Sequence, residues 1–366
     1  MKTGIVTFHR ADNYGAVLQC YALYTVLDAM GCDAMVIDYR NPVIENRYRV
    51  VPKIRKNLVQ WISLLAKTLP HYRQRKLRHT RFEQFRGMFK MSRPYSKAEL
   101  VNGGADCDLI ISGSDQVFNP NITNGCDDVY FLNIGGDFVR ASYAASIGNV
   151  DDKQIRSEEF GKKISAFDYL SVREDDACNF LSSCYGLSVQ KCLDPTLLLD
   201  EEHWREIVKD TVIDVPQKYI LLYYVQYNSE LIKIAQTLAK EKGLPVVCFK
   251  PDIKLDCQTV CCDSAGPLEF VKLIENADCV VTSSFHATAF SVIFKKDIHI
   301  LTHSQTGSRV VSLAQIFGVS DRIYHSYADF DARYTSEAGV TYNTDDYFIQ
   351  RNKSLDYLRK ITKSAE

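Results

Sequence analysis

Three stretches of this 366-residue chain place polar, potentially reactive side chains directly after a hydrophobic run. The sharpest is Val280-Val281-Thr282 leading into Ser283-Ser284-Phe285-His286-Ala287-Thr288. The β-branched run reads as a buried strand and the residues after it as the first turn of a helix. Ser283 and Ser284 can cap that helix, whose outward N–H groups and positive dipole end suit an anion such as phosphate. His286 would then lie beside the anion, placed to act as a general acid. The competing reading is a structural histidine held by the fold.

The second stretch is Ile110-Ile111-Ser112-Gly113-Ser114-Asp115-Gln116-Val117-Phe118-Asn119, another apolar run ending in small and polar residues. Gly, Ser and Asp serve turns as well as sites, whereas Gln116 and Asn119 have no evident turn role. Asp115 is a candidate for holding or deprotonating a hydroxyl, against the plain alternative of a turn aspartate. The third is Thr7-Phe8-His9-Arg10-Ala11-Asp12-Asn13-Tyr14-Gly15, where Gly15 permits close backbone approach and an anion or sugar hydroxyl could bind. Asn13 could equally be a helix cap, and without G-x-G-x-x-G a dinucleotide site has no support. Arg173 and Arg309 offer guanidinium forks for an anionic substrate, with structural ion pairing as the alternative for each.

The elements that would position these residues alternate. Residues 2–8 and 33–39 read as strands around a helical pattern over 16–30. Strand-like runs recur at 109–112, 141–146, 169–172 and 189–193, with helical patterns at 152–167 and 175–181. The pattern restarts after Pro216: strands at 219–225, 245–249, 279–282 and 298–301, helices at 229–242, 267–276 and 286–294. Such alternation implies mainly parallel sheets covered on both faces. The expected fold is α/β, two Rossmann-like domains facing a central cleft. The expected domains are 1–205 with a basic helical insertion at 47–93, a donor-binding domain at 206–340, and a C-terminal helix in 341–366 packing back on the first domain.

Composition narrows the function classes. A chain of 366 residues is longer than one core usually serves, and its 46% hydrophobic and 24% charged residues are ordinary for a globular protein. The net charge of −1 gives no general steering toward nucleic acid. Between Arg47 and Arg93, however, 14 bases face a single acid, Glu83, over two helical patterns at 54–69 and 74–89. This patch could meet an anionic membrane surface or be a solvated helical face. No run approaches a membrane span and the N-terminus enters a strand directly, so the expected location is cytoplasmic, with the inner membrane face as an option. Of 12 cysteines, Cys20, Cys107, Cys192, Cys248 and Cys279 sit in apolar patterns and read as reduced thiols. Cys257, Cys261 and Cys262 crowd a loop-like segment, and with no second ligand pair they read as incidental thiols, not a metal site.

Six segments taken together resemble the polysaccharide pyruvyl transferase family: Asn13-Tyr14-Gly15-Ala16-Val17-Leu18-Gln19, Gly113-Ser114-Asp115-Gln116-Val117-Phe118-Asn119, Ser142-Tyr143-Ala144-Ala145-Ser146, Ser171-Val172-Arg173-Glu174, Asp194-Pro195-Thr196 and Ser284-Phe285-His286. The resemblance implies a GT-B-like fold and transfer of pyruvyl from phosphoenolpyruvate to a hexose of the galactose type in a cell-surface polysaccharide precursor. The product would be a cyclic ketal, with release of phosphate. It implies His286 as general acid and Arg173 and Arg309 as holding the donor's anionic groups; Ser283 and Ser284 are expected beside the donor, and Asn13, Tyr14, Gly15, Gln19, Ser114, Gln116 and Asn119 toward a lipid-linked or oligosaccharide acceptor. Neither a metal nor a further cofactor is expected. Two positions depart from the family pattern: Ala287 stands where Gly is usual and would crowd the donor phosphate, and Phe118 stands where Trp is common. The other functions weighed are a nucleotide-sugar-dependent glycosyltransferase and a non-catalytic sugar-binding relative on the same fold.

Overall fold

The computed structural model describes residues 1–51, 53, 61, 63, 64, 66, 68–251, 253–302, 308–335 and 339–365. The expected helix over 54–69 falls largely outside this set. The chain divides into two compact units: Met1–Arg73 with Phe82–Leu199 and Gln350–Glu366, and Gln74–Arg81 with Asp200–Ile349.

The first unit is built on parallel strands β1 (Lys2–Val6), β2 (Asp33–Val36), β3 (Leu109–Ser112), β4 (Val139–Ser142), β5 (Leu170–Val172) and β6 (Val189–Lys191). The ladder order is β2-β1-β3-β4, with β5 paired to β6. Isolated bridges Ala141↔Tyr169 and Ala145↔Val172 link the β4 and β5 segments. All four residues of β3 are buried, as expected for a strand covered on both faces. Residues 141–146 do not run on as one strand, because Ala144 adopts φ 46°, in the left-handed region. Its amide donates to Ser171 Oγ at 3.0 Å, which holds the turn. In this unit Leu358 and Ile361 of the helix Asp345–Lys363 are fully buried, and Tyr357 donates its hydroxyl to the Ser142 carbonyl at 2.8 Å.

The second unit carries β7 (Ile220–Tyr223), β8 (Val246–Cys248), β9 (Thr259–Cys261), β10 (Cys279–Thr282), β11 (Asp297–Leu301) and β12 (Ile323–Tyr324), all parallel, in the order β12-β11-β10-β7-β8-β9. The helix Glu201–Val208 belongs here: Trp204 is fully buried and meets the Phe290 ring edge-on at 4.8 Å. Cys261, expected in a loop, ends the edge strand β9, and Val246–Cys248 pairs with that strand residue by residue. Its segment was unreadable as a strand because it is three residues long and half exposed.

Part of the basic run is structural. Arg86, in the helix Tyr72–Arg86, is 1% exposed and donates to the carbonyls of His9 and Ala11 and to Asp12. Within the second unit Arg81 pairs with Glu269 at 3.0 Å and donates to the Ser264 carbonyl. These two guanidiniums therefore do not belong to an outward-facing patch. Among the described residues no helix is long and apolar enough to cross a membrane.

Candidate functional site

In open parallel sheets ligands bind beyond the carboxyl ends of the strands, where the strand order reverses. The first unit reverses between β1 and β3, and the second between β7 and β10. The three polar stretches lie at these two places: 7–15 after β1, 113–119 after β3 and 283–288 after β10.

In the second unit β10 ends at Thr282 and the helix Phe285–Ile293 begins three residues later. Thr282 Oγ1 accepts the Ser284 amide at 3.0 Å and donates to the Tyr223 carbonyl, fixing the turn against β7. Ser284 is the cap, its Oγ accepting the Ala287 amide at 3.5 Å. His286 is half-buried in the first turn, its ring edge-on to Phe285 at 5.1 Å, and Ser283 is half-buried beside the cap. Ala287 is fully buried. Arg309, half-buried, is the second residue of the helix Ser308–Ile316 that follows β11, the neighbour of β10. Arg309 and His286 thus both follow the carboxyl ends of adjacent strands.

In the first unit one buried chain of hydrogen bonds joins segments far apart in sequence. Gln19 Nε2 donates to Thr7 Oγ1 at 2.8 Å, and Thr7 Oγ1 donates to the Ser114 carbonyl at 2.8 Å. Ser114 Oγ donates to Asp194 Oδ2 at 3.0 Å, which also takes Arg173 at 2.7 Å. Thr196 closes on the other Asp194 oxygen at 2.7 Å, and Arg173 Nε reaches Glu174 at 3.2 Å. Burial works against the charge of Arg173, but Glu174, Asp194 and Asp115 outweigh it and hold the guanidinium above its ordinary pKa. Gln19 and Ser114 are fully buried, and each ties neighbouring segments together through these bonds. Arg173 likewise shares its fork between two carboxylates, the arrangement of a structural ion pair.

Asp115 differs from these neighbours. It is half-buried and holds φ 83°, a conformation that side chains other than glycine rarely adopt and that clusters at functional sites. Its carbonyl accepts the Ser146 amide at 2.9 Å and its Oδ1 accepts the Gln116 amide at 2.8 Å. Asn119 caps the helix Pro120–Thr123 and donates to Gln116 Oε1 at 2.8 Å. Gly148, at φ 81°, lies so close that a β-carbon there would meet Asn119 Nδ2 at 2.3 Å. Asn13 caps the helix Tyr14–Ala29 through the Ala16 amide, and Tyr14 packs on Phe82 with ring centres 5.4 Å apart. Capping and packing are therefore what the structure assigns to Asn13 and Tyr14. Gly15 is buried in the same helix. Phe118 is fully buried against Phe131 and Phe167, so its departure from Trp is a matter of core packing.

Sequence reasoning passed over His9, at the same kind of strand-end position as His286. It is 1% exposed, with Nδ1 3.1 Å from the Thr7 carbonyl and Nε2 3.1 Å from Asp38 Oδ1. Arg10 donates to both Asp38 oxygens, at 2.7 and 2.5 Å. The signal was present in Thr7-Phe8-His9-Arg10, but Asp38 is distant in sequence and nothing local announces it. Glu174 was passed over too; its Oε2 is buried with no hydrogen-bond partner among the described residues.

Two Rossmann-like units with candidate residues at both strand-order reversals define an α/β protein of GT-B-like fold. Solved structures agree on the fold. UDP-N-acetylglucosamine 2-epimerase from Rickettsia bellii is similar with a TM-score of 0.54 at 13% identity, over 99% of this chain and 96% of that one. The Methanocaldococcus jannaschii UDP-GlcNAc 2-epimerase, solved with UDP-GlcNAc and UDP, gives 0.53 at 12% identity over 99% and 100%. No curated protein matches the chain. Residues 13–304 match the model of the polysaccharide pyruvyl transferase family, and the chain belongs to that family.

Proposed function

We propose that the protein transfers the pyruvyl group of phosphoenolpyruvate to a hexose of a polysaccharide precursor as a cyclic ketal, releasing phosphate. The observation that carries this reading is His286 in the first turn of a serine-capped helix at the strand-order reversal of the second unit. Its family membership supplies the reaction class. Donor phosphate would sit at that helix N-terminus, with Arg309 following the adjacent strand as a cation for the anionic donor. His286, as imidazolium, would protonate the methylene carbon of the enol phosphate, leaving C2 oxocarbenium-like. A sugar hydroxyl adds to C2, phosphate departs with the C2–O bond, and a second hydroxyl of the same sugar closes the ketal. Asp115, in the first unit, is the group proposed to hold or deprotonate a hydroxyl.

The experiment is incubation with phosphoenolpyruvate and a panel of lipid-linked or reporter β-galactosides, following phosphate and a pyruvyl mass gain on the sugar. Coupled appearance of both is expected. Phosphate without a sugar adduct would overturn the reading. So would release of UDP from a nucleotide sugar, the outcome suggested by the UDP-GlcNAc in the M. jannaschii epimerase structure.

A further inference from the structure

The second unit holds a cluster at the opposite end of its strands from His286. Cys279 and Asp297 are the first residues of β10 and β11 and stand opposite one another in the ladder. His299, two residues beyond Asp297, projects from the same face of β11. The thiol, a carboxylate oxygen and a ring nitrogen lie within 4.8 Å of one another, and His299 Nε2 is 3.7 Å from Asp297 Oδ1.

His299 is 0% exposed, and its buried Nε2 has no hydrogen-bond partner among the described residues. Nδ1 faces the Tyr324 hydroxyl at 3.3 Å, and the rings of Tyr324, Phe330 and Tyr334 pack around the imidazole with centres 5.5 to 5.8 Å away. With the proton on Nδ1, donated to Tyr324 Oη, the lone pair of Nε2 points toward Asp297 and Cys279. A ring fixed through its other nitrogen is how metal-ligating histidines are held.

We propose that Cys279, Asp297 and His299 bind a divalent cation of the zinc class through Sγ, a carboxylate oxygen and Nε2, with water in the fourth position. Sulfur and nitrogen donors fit zinc and exclude the oxygen-seeking magnesium and calcium. Binding replaces the thiol proton: the cation takes the thiolate and one proton leaves to solvent. Lys242, 3.1 Å from Asp297 Oδ2, must give way, and its side chain is 31% exposed and can turn to water. Arg322, 3.8 Å from Oδ1, stays and weakens the site. The ion ties the starts of β10 and β11 together, far along the strands from the candidate catalytic end. Its role is therefore structural and does not rest on the pyruvyl transfer reading.

The test uses tag-free full-length protein loaded with Zn²⁺ or Co²⁺ alone. One ion per chain is expected, and with cobalt a thiolate-to-metal charge-transfer band that Cys279→Ser abolishes. His299→Gln weakens affinity at least about tenfold and Tyr324→Phe by about tenfold, while Cys261→Ser leaves both affinity and band intact. Should the variants misfold, X-ray absorption on zinc-loaded wild type decides, with one sulfur ligand expected. No stoichiometric ion, a band that survives Cys279→Ser or is lost with Cys261→Ser, or two or more sulfur ligands overturns the proposal.

Discussion

Ser114 and Asp194, 80 residues apart, share a 3.0 Å hydrogen bond in the buried floor of the first unit, and Arg173 meets the same carboxylate oxygen at 2.7 Å. This one oxygen joins the turn after β3, the end of β5 and the Asp194-Pro195-Thr196 turn. Three of the segments that carry the family resemblance, at Ser114, Arg173 and Asp194, are thus held together by one buried electrostatic support within the first unit. Asp115, one residue beyond Ser114, takes its unusual backbone conformation on top of that support.

Arg173 is accordingly expected to matter first for stability. Arg173→Leu leaves the Asp194 and Glu174 carboxylates buried without their cation and should cost about 3–5 kcal/mol. Arg173→Lys keeps the charge but loses the fork and should cost less. Denaturant unfolding of the two variants measures this. A direct donor clamp would instead leave stability unchanged and raise KM for phosphoenolpyruvate.

His286 and Ala287 are neighbours with opposite expectations. His286 is half-buried, so His286→Ala should leave stability within about 1 kcal/mol while phosphate release falls by about 10²–10⁴. Ala287 is fully buried, and Ala287→Gly restores the residue usual in the family. It should lower stability by about 1 kcal/mol through helix propensity and leave turnover within about twofold. Steady-state kinetics beside thermal unfolding separates the two, and a large gain in turnover for Ala287→Gly would show that the methyl does obstruct the donor.

The buried pair His9 and Asp38 sets a pH dependence. Both ring nitrogens of His9 face acceptors, yet burial outweighs Asp38 and pushes the imidazole below its ordinary value of 6.5. Burial would raise Asp38, but His9 and Arg10 outweigh it and hold the carboxyl well below its ordinary 3.8. A depressed histidine binds fewer protons folded than unfolded, so stability falls as pH drops through 6.5. The Asp38 contribution is full above about 3.8 and is lost only in stronger acid. Unfolding free energies across pH 5–8 should therefore decline toward acid in the wild type, and the slope should flatten in His9→Gln.

The legible part of the fold was whatever lies within one element. The runs at Leu109–Ser112 and Cys279–Thr282 are unmistakable as buried strands, and Asn13 and Ser284 announce their helices as caps. Strand order is a long-range property, so the reversals that single out the ends of β1, β3, β7 and β10 could not be read. The same holds for charge partners. Arg173 reads as an available cation until Asp194, 21 residues away, is folded against it. Gln19 reads as a polar residue for a ligand until the Thr7 hydroxyl appears 2.8 Å from it. Short elements fail differently: β9 buries too little in three residues to leave a pattern.

That short strand sets up the last expectation. Cys248 and Cys261 stand opposite one another in the β8–β9 ladder, and paired strands lie about 4.8 Å apart, within the Cα separation a disulfide spans. Beside Cys261 the Cys248 thiol is held below its ordinary value while the Cys261 thiol is pushed up, favouring a Cys248 thiolate that attacks an oxidised sulfur. Cys261 is exposed on the edge strand, so a peroxide can reach it. Oxidation of one thiol to sulfenic acid, followed by attack of the other, forms the disulfide with two waters released and two hydrogens lost from the protein. Peptide mapping after mild peroxide should find the Cys248–Cys261 link, absent in Cys248→Ser and intact in Cys257→Ser. A link from Cys262 instead would mean that β9 pairs with β8 one residue out of the Cys248–Cys261 register.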